Sequence, residues 1–137
     1  MFYFNADILQ RMQLSDIEKK ELGLEVIKLM KLQQDVQRDG ILSLFECLEE
    51  IDDPFFKVAL TMLYDGFDKN YIETILATLI LVEAPTGYAL VLMLIEAEAV
   101  LSMADGDPLE KMLMKIGAFL GPQSLIKLAP LVKELEL

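Results

Sequence analysis

The chain has 137 residues, 54% of them hydrophobic, with 23 acidic and 12 basic side chains and a formal net charge of −11. That length suits one domain with a real core, and the acid excess argues against nucleic acid or an anionic membrane as partner. Histidine is absent, which excludes Ser-His-Asp and Cys-His sites and the Glu-x-x-His metal centre of helical bundles.

Helix signals run through the chain and strand signals are nearly absent. The opening MFYFNADILQRM lacks the basic-then-apolar layout of a signal peptide, so a cytoplasmic location is expected. Ser15-Asp16-Ile17-Glu18 is a capping-box pattern. Leu22, Val26, Leu29, Met30 and Val36 then form one helical stripe, which Gly40 ends. Ile41, Leu44, Phe45 and Leu48 predict a second, short stripe.

Asp53-Pro54 opens the next helix: aspartate accepts from first-turn amides and proline has none to leave unpaired. Phe55, Ala59, Met62 and Leu63 share its face, and Gly66 suits a left-handed stop. Asp68 caps a helix that aligns Ile72, Ile75, Leu76 and Leu79. Ala84-Pro85-Thr86-Gly87 breaks the chain before a helix from Tyr88 to Ala104, apolar nearly all round. That helix is expected to be the most buried, with Glu96 and Glu98 at a wet edge or paired. Asp107-Pro108 repeats the aspartate-proline start, followed by Leu109, Met112, Leu113 and Ile116 on one side. After Gly121-Pro122 a last helix runs from Gln123 to Leu137. These signals predict an all-α fold, a compact bundle of six to eight helices joined by short turns.

A membrane span needs roughly 20 mostly apolar residues. Glu83, Pro85, Glu96 and Glu98 divide the apolar region between Thr74 and Met103, so no span is expected. Apolar surface beyond the needs of the core predicts burial in a homo-oligomer. Cys47 is the single cysteine and reads as a buried, inert thiol. Met93, Met103, Met112 and Met114 read as core packing rather than an adaptable groove. No phosphate-binding GxxxxGK[ST] and no GxGxxG is present. Asp65-Gly66-Phe67-Asp68 lacks the alternating ligands of a calcium loop and reads as a turn with a cap. The sequence therefore predicts no enzyme, no catalytic residue, no cofactor and no metal. Glu46, Glu49 and Glu50, spaced to share one side of a helix, form either a docking patch for a basic partner, a weak cation site, or a solvated face.

Arg38, Gly40, Asp53-Pro54-Phe55 and Asp65-Gly66-Phe67-Asp68, within Arg38 to Leu76, resemble the cytoplasmic helices of the flagellar motor stator A-subunit (MotA) family. Leu94 to Pro122, with Gly106-Asp107-Pro108, resembles the family's stretch after its last membrane helix. Membrane helices separate these blocks in the family; here only Ala77 to Met93 does. The resemblance thus implies the cytoplasmic portions without the channel helices, and ion conduction does not carry over. Where the family has rotor-contacting charges, Gln37 and Phe45 take the matching places, with Arg38 and Glu46 one step away. One step turns a helical side chain by about 100°.

The expected organisation is a single domain, 1–137: an N-terminal helical segment at 1–37, stator-like helices at 38–83 and C-terminal helices at 86–137. The expected function is a non-enzymatic, cytoplasmic protein-interaction domain, motility-associated. Its partner is a protein, a motor or rotor component, met through Arg38, Glu46, Glu49 and Glu50. Two alternatives stand: a homo-oligomeric structural protein that has lost motor function, and a small-molecule-binding helical domain with a Met-lined pocket.

Overall fold

A computed structural model describes residues 6–135, and within them the chain is all-helical. The elements are α1 (Ala6–Arg11), α2 (Asp16–Asp39), a 3-10 turn (Ile41–Leu44), α3 (Phe45–Leu48), α4 (Pro54–Tyr64), α5 (Lys69–Glu83), α6 (Gly87–Ala104), α7 (Leu109–Gly117), a second 3-10 turn (Ala118–Leu120) and α8 (Pro122–Leu135). The expected run of the last helix to Leu137 lies partly outside the described residues, as do residues 1–5 of the expected N-terminal segment.

Local chemistry sets most boundaries. Ser15 and Glu18 close the capping box on α2, with bonds of 3.1 and 3.0 Å. Asp53 Oδ1 accepts from the amides of Phe55 and Phe56 and starts α4. Asp68 does the same for α5 through the Asn70 amide. Helices α4 and α6 end alike. Gly66 and Gly106 adopt φ of 80° and 68°. The amides of Phe67 and Asp107 then reach back to the carbonyls of Met62 and Ser102, the Schellman arrangement.

α6 is the central element. It packs against α2, α4, α5 and α7. Eleven of its residues are buried, among them Leu90, Val91, Leu94, Ile95, Ala97, Val100 and Leu101. The predicted stripe of α2 and the predicted faces of α4 and α7 are all buried against this core. α8 closes the bundle over α2 and α7. Arg11 ties α1 to the α5–α6 loop by donating to the Pro85 carbonyl at 2.8 Å.

Four expectations need correction. α6 is 18 residues long and, by length and composition alone, could cross a membrane, because Glu83 and Pro85 precede it and only Glu96 and Glu98 interrupt it. In the fold 61% of it is buried by the other helices, which is the burial of a core helix. Phe45 is 62% exposed and does not join Ile41, Leu44 and Leu48. The 3-10 geometry of residues 41–44 turns it off that face. Met114 is 60% exposed, whereas Met103 and Met112 are core. Glu96 is no rim residue; it is 5% exposed.

Truncating Ile95, fully buried at the centre of α6, should destabilise the fold by about 2–5 kcal/mol. Truncating Leu81, which is 76% exposed on α5, should change it by about 0.5 kcal/mol or less. Urea denaturation of Ile95→Ala and Leu81→Ala checks both.

Candidate functional site

The residues predicted to meet a partner lie on the surface, around the corner that follows α2. Arg38 is in the last turn of α2, exposed, and held by Asp35 and Asp39, each at 3.0 Å. Hydrogen bonding to Asp39 and the charges of Asp39 and Asp35 raise its pKa further above its usual value. Its charge is therefore largely answered from its own helix. Glu46, Glu49 and Glu50 are exposed. Only Glu46 is on a helix; α3 is four residues long, and Glu49 and Glu50 fall in the turn after it. Glu49, the C-cap of α3, keeps right-handed helical dihedrals, and Glu50 follows it in the turn.

Sequence reasoning missed what sits beside them. Leu42 is 73% and Phe45 62% exposed, on the same short segment as Glu46. The Phe45 ring leans on Tyr64 of α4, with centroids 6.0 Å apart. An exposed aliphatic and an exposed aromatic side chain among carboxylates make an apolar knob with an acidic surround. Such a knob can fill an apolar pocket on a partner while the carboxylates meet cations at its rim. The signal was present in sequence, since Phe45 and Glu46 are adjacent, but the assumed helix placed Phe45 inside. Cys47 is half-buried, donates to the Leu44 carbonyl at 3.2 Å, and burial raises its pKa, so it is a poor nucleophile.

A second group of polar residues is buried at the α6–α7 turn. Asp107 is 4% exposed. Its carboxylate accepts from Ser102 Oγ and Lys115 Nζ, both at 2.6 Å, and pairs with Lys111 at 3.4 Å. Its carbonyl accepts from Gln33 and Gln37 of α2, each at 2.7 Å. Asp105 beside it pairs with Lys69 of α5. The aspartate of Asp107-Pro108 therefore does not cap α7 as expected; the helix has no side-chain cap. Burial alone would raise the Asp107 carboxyl, but the hydrogen bonds from Lys115 and Ser102 outweigh it and hold it below the usual range. This cluster joins α2, α5, α6 and α7 and is a structural pin.

Glu96 has the opposite electrostatics. Burial, then hydrogen bonding and charge from Asp53 at the start of α4, push its carboxyl up to about 10. Its Oε1 finds no partner. Burial also lifts Glu98 to about 7, with Lys115 pulling the other way. Among the described residues, no group of three or more Cys, Asp and Glu side chains is placed to hold a metal.

The chain is 41% identical over 54 residues to Motility protein A of Borreliella burgdorferi. The match takes in 39% of this chain and only 21% of that protein, about a fifth of its length. No protein-family model matches the chain, and no solved structure matches it at significance. The stator resemblance thus stands as a partial similarity.

The two buried acids titrate with opposite sign. Asp107, depressed in the fold, stabilises above its unfolded value and loses that contribution as pH falls through its folded one. Asp107→Ala should cost about 2–4 kcal/mol at pH 7, and the gap should close in acid. Glu96 ionises near 4.5 when unfolded and keeps its proton to about 10 when folded. Its contribution is complete in acid and is lost as pH rises from 4.5 towards 10. Glu96→Gln should therefore stabilise increasingly with pH, by up to about 1.4 kcal/mol per unit. Denaturation series from pH 3 to 9 read both effects.

Proposed function

We propose that this chain is a non-enzymatic protein-interaction domain related to the cytoplasmic part of a flagellar motor stator A-subunit, acting in the cytoplasm in a motility-associated assembly. The observation that carries this reading is the 54-residue similarity to Motility protein A. A rigid all-helical body and a sequence without histidine fit it, since neither supplies an acid–base or nucleophilic centre. The contact surface is the corner bearing Leu42, Phe45, Glu46, Glu49 and Glu50, with Arg38 at the adjoining end of α2. Its partner is a motor or rotor protein that offers a basic, apolar-centred surface. The proposal includes self-association through exposed apolar side chains, as the composition implies.

The corner contributes shape and charge separately. Phe45 and Leu42 supply area to be desolvated, which gives affinity. The carboxylates supply steering and selectivity, which salt screens. Binding of purified rotor proteins, followed by titration calorimetry, tests this. Phe45→Ser and the charge reversals Glu46→Lys and Glu49→Lys should each weaken binding by about tenfold or more. Absence of binding, or binding that none of these substitutions alters, would overturn the proposal.

A further inference from the structure

A groove of about 740 Å³ runs along the N-terminal half of α2, between that helix and α8. Leu24 and Leu131 stand on its walls, 66% and 46% exposed, and Ile27 is half-buried beside them. Gly23 lies where the two helices meet, and a Cβ there would stand in ordinary contact with Leu128 Cδ2, at 3.8 Å. The groove's charge is the inverse of the chain's. Lys19, Lys20 and Lys127 line it against a single Asp16, whereas the whole chain carries 12 basic and 23 acidic residues. The N-terminal turn of α8, with Gln123 and Ser124 on the groove, has no acidic residue in it. Its positive end therefore adds to the lysines.

The geometry points to a docking site for an acidic amphipathic helix of a partner protein. An apolar trough between two helices takes a third by laying its apolar face into it. The stretch of α2 from Asp16 to Ile27 that lines the groove is about 17 Å long, three turns of helix. That length matches anchors at i, i+3 or i+4, and i+7 on the incoming segment. Glutamates flanking those anchors would meet Lys19, Lys20, Lys127 and the α8 N-terminus. A basic helix would meet the same groups with repulsion. This surface is distinct from the Phe45 corner, opposite to it in charge, and its occupancy does not rest on the motility reading.

The probe is a fluorescent synthetic helix with leucines at i, i+3 or i+4, and i+7 and glutamates beside them, followed by anisotropy. It should bind the full chain, bind more weakly as salt rises, and lose about tenfold or more in affinity to the triple variant Lys19→Glu, Lys20→Glu, Lys127→Glu. Leu24→Ser should weaken it too, and Glu46→Lys should leave it unchanged, which separates this test from that of the corner. These side chains are on the surface, so circular dichroism should show the variants folded; the lysine-for-glutamate counterpart peptide tests the same point on the unaltered protein. Equal binding of that counterpart, no binding, or indifference to the lysine reversals overturns the proposal. So does tighter association with anionic lipid vesicles, or a concentration-dependent dimer of the chain alone that Leu24→Ser abolishes.

Discussion

The burial of α6 is the constraint on which the rest of the architecture depends. A helix with apolar residues nearly all round has no face to give to water. It needs neighbours on every side, and α2, α4, α5 and α7 supply them. The amphipathic faces of α2, α4 and α7 follow from that arrangement, because each must bury one stripe and expose the other. The short turns follow too: two Asp-Gly corners stop α4 and α6 within two residues, so each next helix returns at once to the core. The same apolar length that would serve a membrane span serves here as the axis of a bundle.

Two carboxylates share this interior, equally hidden, and meet opposite fates. Asp107 at 4% exposure is ringed by Ser102, Lys111 and Lys115 and stays charged. Glu96 at 5% has an unpaired oxygen and a second carboxylate, Asp53, as its neighbour. Burial is common to both, so the partner decides. Asp107 holds three helices, α2, α6 and α7, together at the α6–α7 turn, with Gln33 and Gln37 fixing its carbonyl. Glu96 costs the fold stability whenever solvent would ionise it. A methyl-bearing residue at that place would pack into α6 without this penalty.

Capping chemistry made much of this fold legible in the sequence. Asp53-Pro54, Asp68 and the Ser15–Glu18 box announce helices from four adjacent residues or fewer, and each does what it announces. Asp107-Pro108 carries the same local signal and fails. The Schellman turn already binds the Asp107 amide to the Ser102 carbonyl, and lysines from α7 draw its carboxylate inward, so tertiary charge overrides the local cap. An α-helical period over residues 41–48 would bury Phe45; the chain makes a 3-10 turn at Ile41–Leu44 instead, and Phe45 faces out. Glu96 was unreadable for a different reason: a helix apolar on every side has no periodicity from which to tell rim from centre. At the candidate corner both the acids and Phe45 are visible in sequence, but only the three-dimensional turn shows that Phe45 faces out beside them.

The α2–α8 groove was beyond any local reading, since its two walls are about 100 residues apart in the chain. They meet because Gln34 of α2 donates to the carbonyl of Leu135 and because Leu128 and Val132 bury against the core. Helix α2 thus does three things with three faces. Leu22, Val26 and Met30 seat it on the bundle, Gln33 and Gln37 hold the α6–α7 turn, and Leu24 and Ile27 face the groove. A surface carried on so constrained a helix is preorganised. Whatever docks there orders its own chain but little of this one, and that lowers the entropic cost of association. The same holds at the Phe45 corner, where Leu44 is fully packed beneath and Tyr64 supports the ring. Exposed apolar side chains on a rigid frame keep their desolvation energy for a partner, because the frame has no room to fold them in.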